Sequence, residues 1–248
     1  MQTTIPLHIA IVGAGVMGRG IAQIAAQAGL QVMLFDAKAG AAAQGVQELD
    51  RTFTRLSDKG KLPAEAARAA TARLRAVDSL ADLAPCDVVV EAVIEDLAVK
   101  RRLFAELEDV VRPECVLATN TSSLSVTAIA AGLKHPQRVA GFHFFNPVPL
   151  MKIVEVVDGL LTERSVGDFL LQLGQRLGHT AVRAKDTPGF IVNHAGRGYG
   201  TEALRLLNEG VAEFHQIDRI LRDTAGFRLG PFELLDLTAL DVSHPVME

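Results

Sequence analysis

A histidine with a glutamate downstream could perform acid–base chemistry in this chain. His143 lies within Gly141-Phe142-His143-Phe144-Phe145-Asn146-Pro147, and Glu155 follows that segment. A neutral imidazole titrates near the pH of the cell, so it can take a proton from a substrate or return one. A neighbouring carboxylate can hold the tautomer of the ring and stabilise the imidazolium that forms. We therefore expect His143 to act as a general base and Glu155 to orient it.

A polar segment earlier in the chain favours this interpretation of His143. The chain has seven histidines, and a histidine satisfied within the core at a strand end is the simpler alternative. Asn120-Thr121-Ser122-Ser123, however, directly follows an apolar run, at the edge of a predicted parallel sheet where ligands bind. Ser122 could hydrogen-bond the reacting oxygen of a substrate. Its alternative role is the N-cap of a helix that begins near Leu124.

A glycine-rich turn near the start of the chain predicts a dinucleotide site. In Gly13-Ala14-Gly15-Val16-Met17-Gly18 the glycines allow a sharp turn, close approach of a pyrophosphate and tight packing of helix on strand. The alternative is a tight turn without a ligand. Asp36 ends the second predicted strand, where its carboxylate can accept hydrogen bonds from a ribose and repel a 2′-phosphate. We therefore expect NAD rather than NADP, although Lys38 argues the other way.

Alternating strand and helix patterns predict an α/β fold with a doubly wound, mostly parallel sheet. A helical hairpin is expected at about 38–75, inserted between strands. After Asp186-Thr187-Pro188-Gly189 the apolar spacing becomes entirely helical. We expect a nucleotide-binding domain at 1–185 and a smaller all-helical domain at 186–248. Strands are expected at 7–12, 31–36, 87–92, 115–120, 138–144, 152–157 and 180–183.

The composition argues against several classes of protein. The 248 residues are 49% hydrophobic and 22% charged, which suits one or two globular domains. A net charge of −4 argues against nucleic acid as a partner. No run approaches the roughly 18 apolar residues of a membrane span, and the first residues lack a secretory pattern. Cys86 and Cys115 lack C-x-x-C spacing and suit reduced core thiols, so we expect a cytoplasmic protein without a metal site.

Several blocks of the sequence, in order and spacing, resemble the L-3-hydroxyacyl-CoA dehydrogenase family. The resemblance covers nearly the whole chain, and the set of His143, Glu155 and Asn193 is far more specific than the glycine motif. The blocks are the glycine turn with Asp36, Glu95 with Lys100, Asn120-Thr121-Ser122-Ser123, His143-Phe144-Phe145-Asn146-Pro147, Glu155, Asp186-Thr187-Pro188-Gly189-Phe190-Ile191-Val192-Asn193 and Gly230-Pro231-Phe232-Glu233-Leu234.

The resemblance implies a Rossmann-type domain and the reversible, NAD-dependent oxidation of an L-3-hydroxyacyl-CoA to a 3-ketoacyl-CoA. His143 would be the base, paired with Glu155, and Ser122 and Asn193 would contact the reacting oxygen and the thioester region. Read from the residues alone, Asn193 is a helix cap, and Glu95 with Lys100 is a solvated surface pair. The implied cofactor contacts are Gly13, Gly15, Val16, Met17, Gly18, Asp36, Glu95, Lys100, Asn120, Ser122 and Asn146.

A basic stripe on the hairpin is a candidate site for the phosphates of CoA. Arg51, Arg55 and Lys59 follow at four-residue steps on one helical face. The alternative is an ordinary solvated helix face.

Two departures from the family qualify the resemblance. His194 stands where the family usually has arginine, so we expect the contact made there to be altered or supplied by another residue. The chain also stops at Val246-Met247-Glu248, whereas family members continue through further helices. We therefore expect a truncated form that exposes an apolar seam and is monomeric or aggregates, and a homodimer for the full-length form.

Two other functions stay open at this point. The same scaffold could oxidise a free hydroxy acid instead of a CoA ester. The chain could also be a non-catalytic NAD-binding relative, because a fold alone does not determine function.

Overall fold

A computed structural model of the chain describes residues 7–238. The chain divides into two compact units, Met1–Thr187 and Pro188–Glu248. The expectations about a secretory pattern in the first six residues and about Val246-Met247-Glu248 fall outside the described range. Among the helices of residues 7–238, none has the length and apolar character needed to cross a bilayer.

The first unit is built around one sheet, which has eight strands within the described residues. The strands are β1 His8–Val12, β2 Gln31–Phe35, β3 Leu74–Val77, β4 Val88–Glu91, β5 Val116–Thr119, β6 Val139–Phe144, β7 Ile153–Asp158 and β8 Thr180–Lys185. The helices are α1 Val16–Gln27, α2 Ala41–Asp58, α3 Ala64–Ala72, α4 Leu97–Val110, α5 Val126–Ala130 and α6 Arg164–Arg176.

The strand order is β3-β2-β1-β4-β5-β6-β7-β8. Adjacent strands are parallel except β6 and β7, which are antiparallel. Every residue of β4 and of β5 is buried, which is expected of central strands with helices on both faces. The predicted doubly wound, mostly parallel α/β fold is therefore confirmed.

The stretch before β3 contains α2 and α3, in the region where a helical hairpin was expected. Strand β3 itself was not predicted from the sequence. It has only four residues, and the exposed Arg75 interrupts its apolar pattern. Its position at the edge of the sheet explains this, because only the β2 side of the strand is paired.

The carboxyl ends of four central strands meet at one edge of the sheet. The chain enters at β1 and later continues from β4 outwards on the other side, so the strand order reverses between these two neighbours. Ligands of open α/β sheets bind at such a reversal. Because β1, β4, β5 and β6 are parallel, the residues at or just after their ends lie along this edge.

The second unit, in its described part, consists of α7 Val192–Asn208, α8 Phe214–Asp223 and α9 Pro231–Thr238. The buried carboxylate of Asp218 accepts hydrogen bonds from the backbone N–H groups of Phe232 at 2.9 Å and Glu233 at 3.2 Å. These are N–H groups that a helix start leaves without partners. The residue before this helix, Gly230, has no side chain, and a Cβ at this position would lie 2.4 Å from the Cβ of Asp218. Only glycine therefore fits there.

Candidate active site

A cavity of about 1010 Å³ lies at the carboxyl edge of the sheet beside the glycine turn. The sequence predicted that the turn and Asp36 would meet, and the structure brings them to this one cavity. Other lining residues were not found from the sequence, because they follow β4 or lie on α4, far along the chain. Among the lining residues are Gly13, Gly15, Val16, Met17, Asp36, Lys38, Ala92, Ile94 and Arg102.

The three glycines of the turn serve different purposes. Gly13 has a φ of 110°, and a Cβ at this position would come within 2.5 Å of the carbonyl oxygen of Ala92. At Gly18 a Cβ would lie 1.8 Å from the carbonyl oxygen of Gly13, so α1 approaches the turn closely only without a side chain. At Gly15, in contrast, no heavy atom lies within 4 Å of that position. The open space before Gly15, at the start of α1, fits the pyrophosphate of a dinucleotide.

Asp36, directly after β2, is hydrogen-bonded to the glycine turn. Its Oδ2 accepts a hydrogen bond from the Ala14 N–H at 2.7 Å, and its Oδ1 accepts one from the Lys38 N–H at 2.8 Å. These contacts hold the carboxylate at the cavity wall. The same group is thereby positioned to receive hydrogen bonds from a ribose.

His143 and Glu155 form a buried hydrogen-bonded pair. They are register partners in the antiparallel pairing of β6 with β7, so the ladder itself places one side chain opposite the other. His143 Nδ1 lies 2.8 Å from Glu155 Oε2, and the two side chains are 5% and 0% exposed. The ring of Phe145 packs at a tilt against the His143 ring, with 4.4 Å between centroids. The imidazole is therefore held by a carboxylate on one side and an aromatic ring on the other.

Asn120 links the end of β5 to the strand that carries His143. Its Oδ1 accepts a hydrogen bond from the Phe144 N–H at 2.9 Å. This contact fixes the polar segment after β5 beside the residue that follows the histidine.

Ser122 is not the helix cap that one interpretation of the sequence suggested. Helix α5 begins at Val126, and the hydroxyl of Ser125 accepts a hydrogen bond from the Ala128 N–H at its first turn. The N-cap alternative for Ser122 is therefore wrong. The Ser122 N–H instead donates to Glu95 Oε1 at 2.9 Å.

The carboxylate of Glu95 accepts several hydrogen bonds from the polar segment after β5. Besides the Ser122 N–H, its Oε1 accepts from the Thr121 hydroxyl at 2.5 Å and from both the N–H and the hydroxyl of Ser123, at 3.1 and 3.0 Å. Burial raises the pKa of this carboxyl, but the Thr121 hydrogen bond, the charge of Lys100 and the serine hydrogen bonds outweigh it. The pKa of Glu95 therefore lies below its ordinary value.

Lys100 is buried rather than solvated, so the surface-pair interpretation of Glu95 and Lys100 is wrong. Only 1% of the Lys100 side chain is exposed, and its Nζ lies 2.6 Å from Glu91 Oε1 and 3.4 Å from Glu95 Oε2. Glu91 is fully buried at the end of β4 and was not identified as a site residue from the sequence. In sequence a glutamate after three valines resembles the polar end of a strand, and only tertiary packing shows its partner.

Asn146 and Arg55 line a second cavity of the first unit, of about 430 Å³. Asn146 is exposed and precedes a cis peptide bond to Pro147. Arg19, which was not predicted, also lines this cavity, and its guanidinium donates to the Ala14 carbonyl at 2.6 Å and pairs with Glu48 at 3.1 Å.

The basic stripe is only partly associated with this second cavity. Arg55 lines the cavity, whereas Arg51 and Lys59 are absent from its wall. All three side chains are exposed, and none makes an ion pair with another residue in the 7–238 range. Their charges are thus available to an anionic ligand.

Asn193 lies in the first turn of α7, within the second unit. The helix begins at Val192 with Ile191 at its N-cap position, so the interpretation of Asn193 as a helix cap is wrong. His194, which stands in place of the expected arginine, has its ring Nδ1 3.2 Å from the Pro188 carbonyl oxygen.

The two cysteines are buried and unpaired by disulfide. Desolvation raises the pKa of Cys86 and of Cys115 to about 12, so both thiols stay protonated at neutral pH. A protonated, buried thiol is a poor nucleophile and a poor metal ligand.

Comparison with known families agrees with this arrangement. Residues 8–187 match the 3-hydroxyacyl-CoA dehydrogenase NAD binding domain, and residues 189–248 match the C-terminal domain of the same family. The chain belongs to the 3-hydroxyacyl-CoA dehydrogenase family. The resemblance seen in the sequence is therefore confirmed, as is NAD as the cofactor of the first domain.

The chain covers different fractions of the length of individual family members. It is 48% identical to 3-hydroxyadipyl-CoA dehydrogenase of Escherichia coli over 96% of this chain and 50% of that protein. It is 38% identical to a probable 3-hydroxybutyryl-CoA dehydrogenase of Bacillus subtilis over 97% of this chain and 84% of the relative. The crystal structure of E. coli 3-hydroxybutyryl-CoA dehydrogenase superposes with a TM-score of 0.95 at 46% identity, covering 98% of this chain and 52% of that one. The chain thus spans about half of the E. coli proteins.

Proposed function

We propose that this chain catalyses the reversible, NAD-dependent oxidation of an L-3-hydroxyacyl-CoA to the 3-ketoacyl-CoA. The observation that carries the proposal is the buried pair of His143 and Glu155 on the edge of the sheet that also holds the glycine turn. Three strand steps separate β1 from β6, which is about 14 Å along this edge. An acid–base group and a dinucleotide cavity therefore lie on one ligand-binding edge.

In this proposal His143 exchanges a proton with the substrate hydroxyl. Glu155 accepts the hydrogen bond of the Nδ1–H, which leaves Nε2 as the basic nitrogen of the ring. Nε2 takes the hydroxyl proton while the bond between C3 and its hydrogen breaks, and Glu155 stabilises the imidazolium that forms. NAD, when bound, accepts the hydride that leaves C3. In the reverse direction the imidazolium returns its proton to the developing alkoxide.

The remaining site residues have positioning roles in the proposal. The glycine turn would hold the pyrophosphate and Asp36 the adenosine ribose, while Glu95, Lys100, Asn120 and Asn146 would lie on the nicotinamide-ribose side. Ser122 and Asn193 would contact the reacting oxygen and the thioester. Arg55, with Arg51 on the same helix and Lys59 just after its end, would meet the phosphates of CoA.

Absorbance at 340 nm tests the reaction. Mixing the protein with NADH and acetoacetyl-CoA should lower this absorbance as NADH is oxidised. A folded sample that binds NADH, judged by its fluorescence, but leaves the absorbance constant would support a non-catalytic NAD-binding protein instead.

A panel of substrates tests the class of acyl group. We expect saturation with 3-hydroxybutyryl-CoA and none with free 3-hydroxybutyrate, because the exposed cations of α2 suit CoA phosphates. The reverse preference would indicate a hydroxy-acid dehydrogenase. The similarity to a 3-hydroxyadipyl-CoA dehydrogenase makes 3-hydroxyadipyl-CoA the informative third member of the panel.

Domain limits, cellular location and self-association complete the proposal. We assign residues 1–185 to the NAD-binding domain and 186–248 to the helical domain, and we place the protein in the cytoplasm, whose reducing conditions suit two buried thiols. Apolar residues exposed on the helical domain favour self-association, as a homodimer or as aggregates. The exposed apolar residues include Leu204, Val211, Phe214, Ile220 and Phe227. Light scattering that shows only monomers would contradict the last point.

A further inference from the structure

A fully buried ion pair lies directly behind the polar segment after β5. Glu91 and Lys100 have 0% and 1% of their side chains exposed, and Glu91 Oε1 lies 2.6 Å from Lys100 Nζ. Taking two charges out of water is costly, and an apolar pair of similar volume is often as stable or more stable. Stability alone is thus a weak reason for this pair to be present.

Glu91 is connected to the polar segment by two routes. Along the first, Lys100 Nζ reaches Glu95 Oε2 at 3.4 Å, and Glu95 Oε1 receives the donors of Thr121, Ser122 and Ser123. Along the second, Glu91 Oε2 accepts a hydrogen bond from the Thr119 hydroxyl at 2.6 Å, at the end of β5. Both routes lead to residues 119–123, where Ser122 and Asn120 lie.

Glu91 also fixes the start of the segment that carries Glu95. Its Oε1 accepts a hydrogen bond from the Val93 N–H at 2.7 Å, two residues after the end of β4. One carboxylate therefore contacts the β4 exit, the β5 end and α4 at once. Loss of any of these contacts would let the backbone or a side chain move, and that movement would shift Glu95 relative to Ser122.

We propose that Glu91 is a positioning residue for the reaction, which holds Ser122 in place through Lys100 and Glu95 and holds the neighbouring Asn120 in place through Thr119. The inference rests on the proposed function for the part played by Ser122. Glu91 contacts neither substrate nor cofactor in this account. Removing the ion pair should therefore loosen residues 119–123 even where the protein stays folded.

Four variants separate positioning from stability. Lys100→Met leaves the buried Glu91 carboxylate without its cation, and Glu91→Gln leaves Lys100 only the more distant Glu95 carboxylate at 3.4 Å. Each variant should lower the unfolding temperature by about 10 °C. The double variant leaves no charge and should recover most of that loss. It should nevertheless keep kcat/KM for acetoacetyl-CoA about 10- to 100-fold below the original, because misplaced contacts cost rate without unfolding the protein. Glu91→Asp, which keeps Lys100 and both charges, should lower kcat/KM as well, and this separates positioning by Glu91 from the loss of a cofactor contact of Lys100.

Hydrogen–deuterium exchange provides a readout that does not depend on activity. Amides of residues 119–124 should exchange faster in the double variant than in the unchanged protein. As a control, Asp87→Asn with Arg112→Met removes the 2.8 Å ion pair at the opposite end of β4 and should leave exchange at 119–124 unchanged. If the unchanged protein fails to oxidise NADH, the proposed function fails, and exchange alone then decides the role of Glu91.

Recovery of stability, exchange and kcat/KM together in the double variant would overturn the proposal, since the pair would then be structural only. If the double variant does not fold, Glu91→Asp decides. It keeps the charge but withdraws the carboxylate by one methylene from Lys100 and Thr119. Faster exchange at 119–124 in this variant would support the proposal, and unchanged exchange would refute it.

Discussion

The carboxylate of Asp36 accepts a hydrogen bond from the backbone N–H of Ala14 at 2.7 Å. The residue that directly follows β2 thus fixes the glycine turn that follows β1. The predicted ribose contact and the shape of the phosphate-binding turn depend on one side chain.

Replacing Asp36 by serine should weaken NAD binding and reduce the preference for NAD over NADP. The change removes a charged acceptor of hydrogen bonds, which contributes roughly 1.5–3 kcal/mol, or about 10- to 100-fold in affinity. The exposed Lys38 at the same cavity should then favour a 2′-phosphate. Dissociation constants of both cofactors measure the effect. An unchanged ratio of the two affinities would argue against Asp36 as the determinant.

Gly15→Ala should leave the fold intact and impair NADH binding. No heavy atom lies within 4 Å of a Cβ at this position, so the methyl group meets only the space assigned to the pyrophosphate. A crowded contact of this size costs about 1–3 kcal/mol, or about 5- to 150-fold in affinity. Gly198→Ala in α7, which is equally uncrowded, is the matched control and should bind NADH normally. Equal affinities for both variants would place the cofactor elsewhere.

Arg55→Ala should raise KM for acetoacetyl-CoA by about fivefold, since an exposed ion pair contributes at most about 1 kcal/mol. Arg51→Ala is the internal comparison, because Arg51 is on the same helix but does not line the second cavity. Its effect should be smaller, and both effects should shrink as salt is added. A larger KM change for Arg51→Ala than for Arg55→Ala would place the CoA phosphates away from this cavity. An unchanged KM in both variants would do the same.

Asp186 should make stability depend on pH below neutrality. Its carboxylate accepts hydrogen bonds from the Val126 N–H at 2.9 Å, the Thr127 N–H at 2.8 Å and the Ser125 hydroxyl at 2.7 Å. Burial raises the pKa of Asp186, but these hydrogen bonds outweigh it and hold the pKa below its ordinary value of 3.8. The stabilisation is therefore present above about pH 3.8 and is lost as the pH falls through the lower folded value.

Unfolding free energies of the unchanged protein and of Asp186→Asn, measured from pH 7 downwards, test this sign. The difference between them should be largest near neutrality and shrink below pH 3.8. A difference that is constant with pH would show that the charge of Asp186 contributes nothing to folding.

The sequence predicted those features that depend on local pattern. The strands β1, β2 and β4 to β7 are largely apolar runs, and the glycine turn is recognisable because each glycine meets a different steric demand. His143 and Glu155 could be predicted as a pair of residue types. Their direct opposition depends on an antiparallel register between β6 and β7, which periodicity does not specify.

Other features depend on tertiary packing and could not be predicted. Glu91 and Lys100 are charged residues whose burial follows only from the approach of α4 to the end of β4. Arg102 reaches the cofactor cavity for the same reason. The edge strand β3 is too short and too polar to stand out. In each case the deciding partner is distant in sequence.

The turnover of His143→Gln tests the central claim most directly. Glutamine can occupy the place of the ring and hydrogen-bond, but it does not exchange a proton near neutral pH. We predict that kcat for NADH-dependent reduction of acetoacetyl-CoA falls by at least about 10²-fold, while the dissociation constant of NADH is unchanged. His135→Gln, at an exposed histidine, is the control and should retain turnover. Turnover of His143→Gln close to that of the unchanged protein would contradict the account.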